Sequence, residues 1–326
     1  MAKKKKELRP LSVDIETIRK QIVAFCEERK YPNNAESSLF QTIEALRANE
    51  VNCHRFLCPV DDYYNDKPVD FKKTTARSVY FSMTNSVAKK LEISNIPLIA
   101  TFYYSLLPKL KEKYEKAGYS DELFYDSVDY LRTKMYNGYR VFGTWGIFEE
   151  PDFSKIFTLE QFGFGRISFA IGKSPVTAEI NGNKIERGHK VVFCYFPTVD
   201  KPSMEECKES FKKAYEFFRK DLGDKICFVC ESWMLYPVHR DFIPATDVVD
   251  QPVLTVMDCF HLVSHKALRN NPDYWYIFNR FYKKDDKEDL FIDTPLEIKY
   301  AEHIKKGGSM GRGTGIFFYD GKDFIL

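Results

Sequence analysis

"KVVFCYFPTVDKPSMEECKESFKKAYEFFRKDLGDKICFVCESWML", residues 190–235, alternates two chain periods within one run. Residues 190–197 are β-branched and aromatic and stop at Pro197, which reads as a buried strand. Ser203 followed by Glu206 is a capping box, and it opens an amphipathic helix that carries the chain toward Gly223. The apolar run from Lys225 then reads as a second strand that passes into a turn at "ESWML".

Working outward, "GRISFAIG" (165–172) and "VTAEI" (176–180) are strands, and "NGN" (181–183) is a hairpin turn, because Asn and Gly tolerate positive φ. Downstream, "YPVHRDFIP" is a helix or loop, further strands fall near "VLTVMDCFHLV" and "YWYIFNRFY", and "PLEIKYAEHIKK" is a short helix. This half is α+β with a mostly antiparallel sheet flanked by helices. Upstream of about residue 150 the period is instead 3.6. Ile15, Ile18, Ile22 and Phe25 mark one helix with Ser12 as its N-cap, and Leu39, Ile43 and Leu46 a second. A loop rich in Asp, Tyr and Pro follows at 58–71, and two longer helical patterns come after it. Pro97 and Pro108 interrupt the first of these and Gly118 caps it; Leu123, Val128, Leu131 and Met135 mark the second. The expected organisation is a disordered basic tail over 1–11, a helical domain over 12–155 and the α+β domain over 156–326.

The 326 residues include 44% hydrophobic and 16% aromatic side chains, enough to bury sizeable cores. The lysine-rich opening "MAKKKKELRP" carries +4 of the formal +2, which leaves the remainder near −2. Such a body does not suit nucleic acid, and the tail has no apolar region after it that would make it a secretory signal. No stretch has the roughly 18 apolar residues of a membrane span, and no membrane partner is expected. Eight scattered cysteines read as reduced thiols, so a cytoplasmic protein is expected.

The glycines of "IKKGGSMGRGTGIFF" (304–318) look like a phosphate loop, but their order is wrong. A phosphate loop runs strand, glycines, helix, so that free amides meet the anion; here a helix precedes the glycines and a strand follows. Gly307 and Gly308 fit a helix C-cap. Gly311, Gly313 and Gly315 strip one face of a strand, either for close packing or for a ligand groove. "CFVC" places Cys227 and Cys230 on opposite faces of a strand, against a shared metal, and no metal is expected. In "ESWMLYPVH" (231–239), Glu231 and His239 lie where an apolar strand ends, a place where binding groups collect, and either could serve as general base. A surface Glu and a capped helix remain the plainer reading.

Taken together, "GRISFAIG", "VVFCYFP", the helix "MEECKESFKKAYEFF", "CFVCESWML" and "GGSMGRGTGIFF" resemble a bacterial family of acyltransferase domain-containing proteins. In that family a helical N-terminal domain precedes a GNAT-like C-terminal domain. The resemblance implies acyl-CoA as cosubstrate and an amine or other small molecule as acceptor. It places the donor along the strand before the central helix, with backbone N–H groups holding its carbonyl and a glycine loop at the helix N-terminus holding its pyrophosphate. Here "PTVDKPSM" (197–204) has no glycine, so the donor contacts fall to Lys201, Ser203 and Met204. Tyr195 is the expected group beside the thioester, with Glu231 or His239 as base. The alternative is a non-catalytic ligand- or partner-binding module whose GNAT-like domain has lost its pyrophosphate loop.

Overall fold

The computed structural model describes residues 8–71, 78–148, 151–197, 202–242, 259–268, 274–282, 290, 292 and 294–325. The chain divides into two compact units, Met1–Asp121 with Lys134–Phe157, and Glu122–Thr133 with Thr158–Leu326.

The first unit is helical. Helices α1 (Ile15–Glu28), α2 (Asn33–Arg47) and α3 (Glu50–Tyr64) come first. A broken helix follows, with α4 (Val79–Ser82) and α5 (Lys89–Leu91) joined by a π-helical turn, and then α6 (Asn95–Ser105), α7 (Leu107–Lys116) and α8 (Asp121–Phe142), whose residues 122–133 belong to the second unit. Ile18, Ile22 and Cys26 of α1 and Leu39, Ile43 and Leu46 of α2 are the buried stripes that the 3.6 period marks. Helix α6 is buried from Ile96 through Ser105, which explains why it reads as apolar all round rather than amphipathic. Pro97 lies in its first turn and Pro108 in the first turn of α7, where a missing N–H costs nothing.

Three local expectations change. The N-cap of α1 is Asp14, which accepts from Thr17 N; Ser12 instead gives its amide and hydroxyl to Asp61, at 2.6 and 2.7 Å. The stretch expected as a loop at 58–71 stays helical to Tyr64, with Pro59 inside α3. Burial of Phe56, Leu57, Val60 and Tyr63 outweighs the lost hydrogen bond there. Residues 1–7 of the basic tail lie outside the described residues, but Arg9 bonds the Cys58 carbonyl and Asp62 at 2.7 and 2.9 Å.

The second unit is built on a sheet in the order β1-β2-β5-β6-β8-β7. Its strands are β1 (Gln161–Phe164), β2 (Ile167–Lys173), β5 (Lys190–Tyr195), β6 (Ile226–Ser232), β7 (His261–Ala267) and β8 (Gly311–Tyr319). A short β9 (Phe324–Ile325) also pairs with β8, and β3 (Ala178–Ile180) with β4 (Asn183–Ile185) makes a separate hairpin turned at Asn181 and Gly182, both at positive φ. Every neighbouring pair is antiparallel except β5 with β6. The helix between those two, α9 (Met204–Leu222), makes the crossover that a parallel pair requires.

Helix α9 covers one face of this sheet. Phe211 meets Phe169, Phe228 and Phe317, with centroids 5.6, 5.3 and 4.9 Å apart. The hairpin covers part of the other face, where Ile180 and Ile185 pack with Val191, Cys227, Val229, Ile316 and Phe318. Cys227 and Cys230 thus face opposite ways, and all eight cysteines are free thiols.

Beyond β6 the chain makes α10 (Pro237–Phe242), α11 (Tyr274–Phe278) and α12 (Pro295–Lys305). Helix α11 corrects an expected strand at "YWYIFNRFY". Tyr274, Trp275, Ile277 and Phe278 are all buried, and an aromatic run buried on every side carries no period that separates strand from helix. The strand expected near "VLTVMDCFHLV" begins only at His261, and residues 253–258 lie outside the described ones.

Gly307, at φ +87, ends α12 in the left-handed region. Gly311 lies against the Tyr236 ring, Gly313 against the Leu235 carbonyl, and Gly315 against Phe260 and Leu235. The bare face of β8 is therefore filled by the turn Trp233–Leu235 as it leaves β6. Of the two readings of these glycines, close packing is the one realised.

Candidate functional site

The parallel pairing of β5 and β6 consists of two rungs, Val192 with Phe228 and Phe193 with Val229. Both strands continue past the second rung, each held by its outer neighbour. Tyr195 still pairs with Ser168 of β2, while Glu231 and Ser232 pair with Thr314 and Gly313 of β8. Between Cys194–Tyr195 on one side and Cys230–Ser232 on the other the ladder has ended, and this unpaired end of the two strands forms the splay. The backbone edges along such a splay can receive an extended ligand.

Register assigns the side chains around this opening to two faces, because successive residues of a strand alternate. Tyr195 follows Val191 and Phe193, and Glu231 follows Cys227 and Val229, so both lie on the hairpin face one period beyond the last rung. Cys194 and Cys230 take the opposite face, that of α9. Two of the residues singled out from the sequence, Tyr195 and Glu231, are thus brought to the same end of the same two strands.

Glu231 is exposed, and its Oε1 accepts from the Thr314 hydroxyl at 3.4 Å. Thr314 was not legible as a site residue. The only signal for it is that glycines at 311, 313 and 315 force Arg312 and Thr314 onto the other face, which matters once β8 is known to lie beside β6.

His239 is placed differently. It is fully buried in α10, with Nδ1 2.5 Å from the Tyr300 hydroxyl and its ring edge-on to Trp233 at 4.7 Å. Burial raises the Tyr300 phenol well above its ordinary range, so the hydroxyl stays protonated.

The N-terminus of α9 holds the remaining expected contacts. Ser203 is its N-cap: the hydroxyl accepts from Glu206 N at 3.3 Å, and Glu206 accepts from Ser203 N at 2.7 Å. These bonds hold the Glu206 carboxyl below its usual value. The box occupies the Ser203 hydroxyl and two amides, and it sets a carboxylate where the sequence lacks a glycine loop. The amides of Met204 and Glu205 remain as first-turn donors. Lys201 lies outside the described residues.

Sulfur gathers at this end of the helix. Cys259 Sγ is 3.7 Å from Met204 Sδ, and the interaction with Cys259, together with burial, raises the Cys207 thiol. Burial raises Cys194 and Cys230 as well, so none of the three is a ready thiolate. Among the described residues no three His, Cys, Asp or Glu are grouped to hold a metal ion. None of the described helices is long and apolar enough to cross a membrane.

Comparison with known proteins agrees with this architecture. Residues 161–317 match the family model for a GNAT-like C-terminal domain. Three solved structures share the fold over nearly the whole chain. An acyltransferase in complex with decanoyl-CoA is 13% identical with a TM-score of 0.59, covering 93% of this chain and 99% of that one. An acyltransferase mutant in complex with octanoyl-CoA is 13% identical with a TM-score of 0.60, covering 96% and 90%. An acyltransferase in complex with decanoyl-CoA and teicoplanin is 15% identical with a TM-score of 0.58, covering 96% and 100%. No curated protein sequence matches the chain.

Proposed function

We propose that this chain, whose residues 161–317 match a GNAT-like domain, is an acyl-CoA-dependent N-acyltransferase. The observation that carries the reading is the two-rung parallel pair, which ends where Tyr195 and Glu231 face the same side. The pantetheine arm of the donor would lie in the splay between β5 and β6, with its phosphates toward Met204, Glu205 and Lys201 and close to the Ser203 cap. The acceptor amine gives a proton to Glu231 and its nitrogen attacks the thioester carbonyl. Strand amides near Pro197 stabilise the oxyanion. The C–S bond then breaks, and the departing thiolate, beside Tyr195, takes the proton that Glu231 accepted from the amine and leaves as coenzyme A. Glu231 is preferred over His239 as base because it is exposed at the splay, whereas His239 is enclosed by Trp233 and Tyr300.

Because the similar structures hold decanoyl- and octanoyl-CoA, those donors are tested beside acetyl-CoA. Titration calorimetry reads binding, and thiol release with a panel of amines reads turnover. Binding of none of the three donors overturns the reading. The glycine-free turn and the capping box at Ser203 favour a second reading, a binding module without turnover. That reading predicts donor binding with no amine-dependent thiol release.

A further inference from the structure

Two phenylalanines meet on the α9 side of the splay, one from each flank. Phe196 follows Tyr195 at the end of β5, and its ring lies toward α9, 6.3 Å from that of Phe211. Phe260 comes from the other flank. It packs on Phe317 at 5.1 Å and lies over Gly315 of β8, where a β-carbon would stand only 2.6 Å from its own. Gly315 is the register partner of Cys230, so Phe260 is seated beside the β6 edge of the splay. The rings of Phe196 and Phe260 meet edge to face, with centroids 6.1 Å apart and planes at 79°.

The surroundings of this pair are apolar. Cys194 and Cys230 share its face, one residue past the last rung, and burial keeps both as neutral thiols. Phe211 and Phe317, both fully buried, back the pair from below. A thioester held in the splay is attacked from the hairpin face, where Glu231 lies. Its acyl chain cannot share the space of the incoming amine, so it turns to the other face, toward Cys194, Cys230 and the two rings.

We infer, resting on the acyltransferase reading, that Phe260, with Phe196 against it, sets the length of the acyl group that this chain accepts. An acetyl or propionyl group ends above the rings, and a longer chain runs into them. Close-packed side chains backed by Phe211 and Phe317 do not move aside cheaply, so the limit is steric. Gly315 serves the same limit, because a side chain there would push Phe260 off β8.

Titration calorimetry of the full chain with free coenzyme A and with its acetyl, butyryl and octanoyl thioesters reads this limit without an acceptor. The wild type is expected to bind acetyl-CoA about tenfold or more tighter than octanoyl-CoA, the discrimination a filled apolar pocket makes against surplus methylenes. Phe260→Leu and Phe260→Ala should erase or reverse that order, by up to about fourfold for each methylene that the opened floor takes in, and leave the affinity for free coenzyme A unchanged. Phe196→Ala removes the other ring, which is only partly buried, and should act in the same direction if a Phe260 variant does not fold. Melting curves show which variants are folded, and a gain of affinity for the longer donor is not something that lost structure produces. Wild-type protein that binds octanoyl-CoA as tightly as acetyl-CoA, or folded Phe196 and Phe260 variants that keep the wild-type order, would overturn the inference while donor binding left the acyltransferase reading standing. Failure to bind any acyl-CoA would overturn both.

Discussion

The Thr314 hydroxyl donates to Glu231 Oε1 at 3.4 Å across the rung that joins β8 to β6, on the face where β5 and β6 have stopped pairing. One neighbour thus orients the carboxylate while its other side is left open to the splay. Glu231→Gln keeps the shape and the bond from Thr314 but removes the base. It is expected to lower kcat by about 10²- to 10⁴-fold while stability changes by less than about 0.5 kcal/mol. Steady-state assays beside a thermal melt decide this, and an undiminished kcat would remove Glu231 from its role.

His239 and Tyr300 form a buried pair rather than a second base in this account. Tyr300→Phe takes away the hydroxyl bonded to Nδ1 and should cost about 1–3 kcal/mol in denaturant unfolding. Activity per folded molecule should be retained. A large fall in kcat in a fully folded Tyr300→Phe or His239→Asn variant would instead return His239 to the chemistry.

Gly313 lies against the backbone of Leu235, which cannot give way as a flexible side chain would. Gly313→Ala should therefore push the turn Trp233–Leu235 off β8 and destabilise by about 1–3 kcal/mol. An unchanged melting temperature would contradict that packing.

Asp61 gives the pH dependence a sign. Desolvation acts to raise its carboxyl, but the bonds from the Ser12 hydroxyl and amide, with Arg9 nearby, hold it below the ordinary value. A depressed folded-state value contributes stability that is fully present above the unfolded value of about 4, and is lost as pH falls through the folded value. Asp61→Asn should be less stable than the wild type at neutral pH, and the difference should shrink below about pH 4. Denaturant melts at several pH values measure it, and a difference that grew on acidification would refute the assignment.

Six of the eight cysteines are buried; Cys58 and Cys259 are partly accessible. Burial also pushes the Cys227 thiol up to about 12. An aromatic disulfide reagent should label Cys58 and Cys259 first in the native protein, and the other six only on unfolding. Rapid native labelling of Cys194 or Cys230 would show that the floor of the splay is open to solvent.

What the sequence determined is local. The hydrophobic period marked α1, α2, α8 and α9, the Ser203–Glu206 box placed the start of α9, and the "NGN" turn placed the hairpin, because caps, turns and periodic burial are written within a few residues of each other. Glu231 was legible as a residue at a strand end, and Tyr195 as a strand residue that the family resemblance sets near the thioester. Their meeting was not, because it depends on β5 and β6, 36 residues apart at Val192 and Phe228, pairing in parallel for only two rungs. Thr314 lies further off still, and strand order alone decides that β8 brings it beside Glu231. The same holds where local reading failed: Pro59 stays within α3, and "YWYIF" folds as a helix, because burial against distant residues outweighs what each segment prefers alone. His239 looked equal to Glu231 in sequence, and only packing against Trp233 and Tyr300 separates them, since burial is a property of the assembled core and not of the residues beside it.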